Sequence, residues 1–315
     1  MPCAATGGTE RPSGGADDPM EHVSDRSGRE STESMTLSHT TVPSVQLRND
    51  AEIPQLGFGV FQVAPEETVE VTMRAFDAGY RHIDTASAYG NEAEVGQAFR
   101  ASGLDRDEVF ITTKCFNDSH GFETAKQAAR ESLDRLELDF VDLYLIHWPV
   151  PKHDRYVDTW RAFIELQEQG LVRSIGVSNF QPAHLRRIID ETGVTPAVNQ
   201  VEIHPRFQQA GLRRDHADLG IVTEAWSPLA QGGDVLEDPT LGEIAEGHDK
   251  TAGQVVLRWH IQLGNVVFPK STTPERIVEN FDIFDFHLTD DEMERIEGLD
   301  AGDRIGPDPE TFVRP

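Results

Sequence analysis

The feature that most constrains this chain is a repeated alternation. From about Val45 onward, short apolar stretches of strand character are each followed by a segment of helical periodicity, eight times over. The strand candidates are Gln55 to Gly59, His82 to Thr85, Val109 to Lys114, Val141 to His147, Ser174 to Val177, Ala197 to Ile203, Val222 to Trp226 and Val266 to Pro269. Between them, apolar residues recur at the 3.6 period: Val69, Met73, Phe76; Ala129, Leu133, Leu136; Tyr156, Trp160, Phe163, Ile164; Leu185, Ile188, Ile189; Ala252, Val255, Val256, Trp259. Pro65, Pro182 and Pro274 fall at first helical turns, where the missing N–H leaves no bond unmade. Eight βα units predict a (β/α)₈ barrel with a short N-terminal hairpin. The rival, an open doubly wound sheet, would carry G-x-G-x-x-G at its first strand. Gly57-Phe58-Gly59 runs on into Val60-Phe61-Gln62, so the third glycine is missing, and no P-loop occurs.

The segment ahead of the barrel is different. Residues 1–42 are rich in Gly, Ser, Thr and Glu and hold hardly an apolar side chain between Ala5 and Met35, so they are expected to be a disordered tail. Residues 43–315 form the barrel domain in this reading. Met20 and Met35 each offer an alternative start.

Charge narrows the partners. With 28 Lys+Arg against 55 Asp+Glu the formal charge is −27, which disfavours nucleic acid and anionic membranes. Five of the 28 cations are lysine (Lys114, Lys126, Lys152, Lys250, Lys270), a composition similar to that of proteins from salt-loving organisms. Two cysteines, Cys3 and Cys115, make no disulfide framework. No stretch approaches the roughly 18 apolar residues of a spanning helix, and the N-terminus lacks an apolar signal core. The expectation is a cytoplasmic monomer acting on a small molecule.

The chemistry lies at strand ends. The run Tyr80-Arg81-His82-Ile83-Asp84-Thr85-Ala86 closes with Tyr89 and Asn91-Glu92, the next strand ends in Lys114, and the one after it in His147. On a barrel, Asp84, Tyr89, Lys114 and His147 would share the C-terminal mouth, where barrel active sites sit. A free phenol titrates near ~10, too high for ready proton exchange at neutral pH, and an adjacent ammonium lowers it. Lys114 would do this for Tyr89, Asp84 would hold Lys114, and His147 would orient a carbonyl oxygen. A carbonyl polarised and protonated in this way is open to nucleophilic attack at carbon. One such residue alone is more often structural; four that fit one chemical scheme are rarely accidental.

These four, with Gly176-Val177-Ser178-Asn179-Phe180, Val198-Asn199-Gln200-Val201-Glu202, Ala225-Trp226-Ser227-Pro228-Leu229 and Phe268-Pro269-Lys270-Ser271, resemble the aldo-keto reductases, most nearly those similar to 2,5-diketo-D-gluconate reductases. The resemblance runs from about Pro43 to Gly302. It implies an oxidoreductase that reduces an aldehyde or ketone with NAD(P)H, Tyr89 being the general acid. It also implies that Ser178, Asn179 and Gln200 hold the nicotinamide carboxamide and that Trp226 stacks on the ring, with Ser227 and Leu229 beside it. Lys270, Ser271, Thr272 and Arg276 would surround the adenosine 2′-phosphate, and Glu279 and Asn280 the adenine. NADP(H) is the expected cofactor, with use of NAD(H) left open. Independently of the resemblance, two cations beside a helix N-terminus in so acidic a chain mark an anion site. Phe61, Phe116, His147 and Trp148 are the expected substrate contacts, although Phe61 stands where many relatives have tryptophan.

His82 and His204 suit packing or backbone bonding better than catalysis, and Cys115 should alternate away from Lys114 as a packed thiol. A metal-dependent barrel hydrolase would use His82, His147 and His204, but the His-x-His usual on its first strand is absent and no metal site is expected. A non-enzymatic NADP(H)-binding regulatory barrel is the third reading, against which the intact foursome argues. Substrate choice is assigned to the loops around Asn117 to Gly121, Pro149 to Arg155 and Gln231 to Asp238, and to the segment from Asp303 onward.

Overall fold

The computed structural model describes residues 42–313; the sequence-predicted tail, up to residue 41, lies outside them. The described chain opens with an antiparallel hairpin, β1 (Ser44–Gln46) and β2 (Glu52–Pro54). Eight parallel strands follow: β3 (Phe58–Gly59), β4 (His82–Asp84), β5 (Phe110–Cys115), β6 (Val141–Ile146), β7 (Val172–Ser178), β8 (Val198–Glu202), β9 (Val222–Trp226) and β10 (Val266–Val267). They are hydrogen-bonded in chain order from β3 to β10. The cylinder is closed between its last and first strands by a bridge from Leu56 to Val267, with Gly57 N–H donating to Val267 O at 2.8 Å and Val267 N–H to Gln55 O at 2.9 Å.

Helices cover the outside: α1 (Pro65–Ala78), α2 (Glu92–Ser102), α3 (Phe122–Leu136), α4 (Tyr156–Glu168), α5 (Pro182–Thr192), α6 (Ala210–Leu219), α7 (Pro239–His248), α8 (Ala252–Gln262), α9 (Pro274–Phe281) and α10 (Asp290–Glu297). Local chemistry sets several of their limits. Pro65 opens α1 with Glu66 and Glu67 in its first turn, and Gly79 ends it at φ 109°, a left-handed backbone that a side chain would strain. At α8, Thr251 accepts from Gln254 N–H while Gln254 Oε1 accepts from Thr251 N–H, a reciprocal cap.

A parallel sheet covered by helices outside and filled inside buries both faces of its strands. In β6 all six residues are buried. Tyr144 and Ile146 pack outward with Trp160 and Phe163, whereas Leu143 and Leu145 fill the interior with Phe110, Val198 and Val266. The hairpin completes that interior: Leu47 and Ile53 belong to the same apolar cluster and stop the N-terminal end of the barrel. The mouth at the other end is where Asp84, Lys114, Gln200 and Trp226 emerge.

Candidate active site

The turn that carries Tyr89 is braced from three sides. Tyr89 ends the 3-10 turn Ser87–Tyr89, whose Ser87 hydroxyl donates to Lys114 O at 2.9 Å. Asn91, two residues on, accepts from the Thr85 hydroxyl at 2.9 Å and donates to Val60 O at 3.0 Å, so the loops after β3 and β4 are tied together. Glu92 accepts from the Thr113 hydroxyl at 2.6 Å and from Arg135 Nε at 2.7 Å, pinning α2 against β5 and α3. The polar run after Ala86 therefore holds the phenol still.

Beneath the phenol, Lys114 is wholly buried and its ammonium donates to Asp84 Oδ1 at 2.6 Å, Thr85 O at 2.8 Å and the Tyr89 hydroxyl at 3.3 Å. All three N–H bonds are used. Burial works against the charge on Lys114, but Asp84 and Tyr89 outweigh it and hold its pKa above the ordinary lysine value. Burial also pushes the Tyr89 phenol up; Lys114 pulls it down and Asp84 pushes it up again, leaving it raised. The ammonium lowers the phenol as the sequence predicts, but burial prevails and the net shift is upward, not downward. Lys114 then matters most once negative charge develops on the phenolic oxygen.

His147 follows β6, its ring centroid 5.8 Å from that of Tyr89. Burial, then Lys114 and His120, push its pKa well below the usual histidine value, so it is a neutral imidazole. Phe61 lies 5.0 Å from Tyr89 and Phe116 5.5 Å from His147, ring to ring. Trp148 is buried under Phe312 at 4.3 Å and backs this wall. All four residues expected to touch substrate thus gather on the Tyr89–His147 side. Phe312 joins them from the C-terminal segment.

On the opposite side, Ser178 and Gln200 are paired in register across β7 and β8. The Asn179 backbone is left-handed at φ 65°, and its amide donates to His147 O at 3.0 Å and Ser178 Oγ at 3.1 Å while accepting from Trp226 Nε1 at 2.9 Å. Its polar atoms are committed within the protein, so any ligand it serves must share or displace one of these bonds. Ser227 is also left-handed, at φ 50°, and turns the chain out of β9 toward Leu229. Farther out, Lys270 and Arg276 are exposed beside the N-terminus of α9, and neither enters an ion pair among the described residues. Ser271 accepts from Thr273 N–H at 3.1 Å, shaping the turn between them, with exposed Thr272 inside it. Two unneutralised cations at a helix N-terminus suit a phosphate. Glu279 and Asn280 lie on the last turn of α9, Glu279 accepting from the Thr251 hydroxyl at 2.7 Å.

The C-terminal segment is fastened across the mouth. Ile305 and Gly306 donate their N–H groups to the buried Glu202 carboxylate at 2.6 and 2.9 Å, and a Cβ on Gly306 would lie 2.3 Å from the Trp226 ring. Sequence reasoning missed Glu202 as a clamp, and it missed Glu224, a fully buried acid joined to Gln200 at 2.9 Å.

The three histidines of the hydrolase reading do not converge. His82 bonds Thr112 Oγ1 at 3.0 Å, His204 bonds Glu202 at 3.2 Å, and no group of three His, Cys, Asp or Glu side chains able to hold a metal is found among the described residues. Cys115 points outward into the core as expected, its thiol pushed up to about 12 by burial.

The sequence profile of the Aldo/keto reductase family matches residues 55–301. The chain belongs to the aldo/keto reductase family. This reductase is an oxidoreductase, and it is 54% identical over 270 residues to an aldo-keto reductase of Mycobacterium sp. strain KMS, covering 86% of the chain and 98% of that protein. It is 51% identical over 269 residues to the methylglyoxal reductase DkgA of Escherichia coli, covering 85% of the chain and 97% of that protein. A crystal structure of a Gox0644 mutant in complex with NADPH superimposes on the reductase with TM-score 0.84 at 46% identity, over 87% of this chain and all 100% of that one.

Proposed function

We propose that this reductase converts a small aldehyde or ketone, foremost a 2-oxo aldehyde of the methylglyoxal kind, to the alcohol with NADPH, Tyr89 donating the proton. The observation that carries this reading is the buried Asp84–Lys114–Tyr89 chain beside a neutral His147. NADPH supplies the hydride. The chain's own groups do the rest. His147, uncharged, donates to the carbonyl oxygen without competing for its proton. Tyr89 gives up its proton to that oxygen, and Lys114 stabilises the phenolate left behind; its own charge is secured by Asp84. Gln200, Ser178 and Asn179 would hold the carboxamide and Trp226 the nicotinamide face, with Ser227 and Leu229 lining its edge. Lys270, Ser271, Thr272 and Arg276 would take the 2′-phosphate, and Glu279 and Asn280 the adenine. Phe61 and Phe116, backed by Trp148, would form an apolar wall for the substrate. The named activity of the Escherichia coli relative supports the substrate class.

The reductase is further proposed to work as a monomer in a salt-rich cytoplasm. Support comes from its −27 charge and from the scatter of its exposed large apolar side chains, Phe61, Phe122, Val278, Ile305 and Val313, over separate elements of the described chain. No described helix is long and apolar enough to cross a membrane.

The test is NADPH consumption with methylglyoxal, keto sugar acids and simple aldehydes, native protein against Tyr89→Phe. Loss of turnover by roughly 10²- to 10⁴-fold, with NADPH binding and melting temperature retained, is expected. Turnover by Tyr89→Phe close to native would refute the assignment.

A further inference from the structure

Glu224 on β9 has no role in the chemistry just described, and its position is unusual for a carboxyl group. It is 0% exposed and faces the barrel interior. Gln200, its partner in the register of β8 and β9, donates one N–H of its side-chain amide to Glu224 Oε2 at 2.9 Å and the other to Asp84 Oδ2 at 2.9 Å. Two carboxyl groups are thus bridged by one amide nitrogen. Glu224 Oε1 is buried and has no hydrogen-bond partner among the described residues. The groups facing Glu224 can be named strand by strand: Asp84 from β4, Lys114 from β5 and uncharged Gln200 from β8, while Val266 opposite it on β10 brings no charge. Asp84 and Lys114 already balance as an ion pair. A charged Glu224 would add an uncompensated negative charge in a site without water exposure, beside another carboxylate.

We propose that Glu224 is a positioning residue that works as a neutral acid: it fixes the Gln200 amide with its N–H groups turned inward and its carbonyl turned toward the nicotinamide carboxamide, and it keeps the surroundings of Lys114 and Tyr89 from becoming net negative. This rests on the reading of Gln200 as a carboxamide contact. Both N–H bonds of Gln200 are used below, so its carbonyl oxygen is the part left to receive a donor from the mouth. Without the Glu224 acceptor, one of the two forces that hold this orientation is lost.

Burial, reinforced by Asp84, pushes the Glu224 pKa up to about 8. The sign of the kinetic effect follows. Above that pH Glu224 loses its proton, the added negative charge opposes formation of the Tyr89 phenolate, and proton donation slows. The Tyr89 phenol is raised by its own burial, so its titration lies farther on the alkaline side.

The experiment compares Glu224→Leu, Glu224→Gln and Gln200→Leu with the native protein. NADPH dissociation constants are read from quenching of protein fluorescence, kcat is read from pH 6 to 9.5, and thermal melts report folding. Glu224→Leu removes the acceptor and should weaken NADPH by roughly 3- to 10-fold. Glu224→Gln keeps a carbonyl acceptor, so its NADPH affinity should stay close to native while the fall of kcat near pH 8 disappears. Native NADPH affinity in folded Glu224→Leu, or an unchanged alkaline limb in Glu224→Gln, overturns the proposal. Gln200→Leu separates the two layers of argument. If it binds NADPH as the native protein does, the carboxamide assignment fails and takes the proposal with it; if it binds weakly while Glu224→Leu does not, the role of Glu224 alone is wrong.

Discussion

Replacing Lys114 by Met separates the two things its ammonium does. The side chain is fully buried and bonded to three oxygens, so the variant leaves Asp84 buried with, among the described residues, only the Gln200 N–H bonded to it. An unpaired buried carboxylate escapes by taking up a proton, and that sets a ceiling on the damage. From an ordinary aspartate's 3.8 to pH 7 is about 3 units. At about 1.4 kcal/mol per unit, the loss of stability is capped at about 4 kcal/mol. With an unfolding entropy of about 2.1 cal/mol/K per residue, this corresponds to a fall of roughly 7 °C in melting temperature. The sign with pH is fixed. Burial already holds the native Asp84 pKa above the ordinary carboxylate value against the pull of Lys114 and Gln200. Without Lys114 it rises further, so the folded variant holds a proton that the unfolded chain has released. Each unit of acidification toward the unfolded value then recovers about 1.4 kcal/mol, and the gap to native narrows at pH 5. Adding Asp84→Asn removes the stranded charge, and the double variant should regain most of the lost stability at pH 7. Turnover should not return. Both Lys114→Met and the double variant lose the cation proposed to stabilise the phenolate and should be slower by roughly 10²-fold or more. The assays are thermal melts at pH 5 and 7 and NADPH consumption with methylglyoxal. A double variant as unstable as Lys114→Met, or a gap that widens on acidification, would show that the buried charge is not what the lysine compensates.

Three further outcomes are expected. Arg276→Ala should weaken NADPH by roughly 10- to 150-fold, the worth of one charge-assisted bond, with a smaller effect on NADH; equal losses for both would place the phosphate elsewhere. Because His147 is neutral with its pKa far below the usual value, kcat/KM should show no histidine-type inflection between pH 5.5 and 7.5 that His147→Gln abolishes; finding one contradicts the neutral donor. The melting temperature should rise with KCl, since going from about 0.1 to about 1 M shortens the screening length from roughly 10 to roughly 3 Å and weakens repulsion among surface carboxylates. Sucrose at matched osmolarity is the control, and equal or greater stability in low salt would rule out the halophilic reading.

The barrel and the gathering of Asp84, Tyr89, Lys114 and His147 at one mouth were legible because both depend on short-range pattern. Strand runs such as Val141–Ile146 are continuous and apolar, and Asp84, Lys114 and His147 each end or follow one. Strand limits moved by a residue or a few: β7 begins at Val172, two residues before the apolar run, and β10 stops at Val267. The helices without a clear apolar stripe were not legible. In α10 only Ile296 is buried, and in α6 only Leu212 and His216, so too few apolar positions recur to show a period. The partners of the site were hidden for another reason. Glu224 reads as one more strand residue until the register sets it opposite Gln200, and Glu202 meets Ile305 only after the chain has returned across the mouth. Contacts of that kind depend on closure of the cylinder, which no local window contains.

The hairpin that stops the barrel makes it a vessel with a single opening. Leu47 and Ile53 seal the floor, so nothing drains through the middle, and whatever reaches the tyrosine must leave past the rim by which it entered. If the proposed site is right, traffic is one-lane: a spent alcohol would block the next carbonyl until it cleared the C-terminal strap held by Glu202. The two ends of the cylinder can then change separately. Substitutions at the hairpin alter how firmly the vessel holds together, and those at the rim alter what is admitted and how fast it is let go.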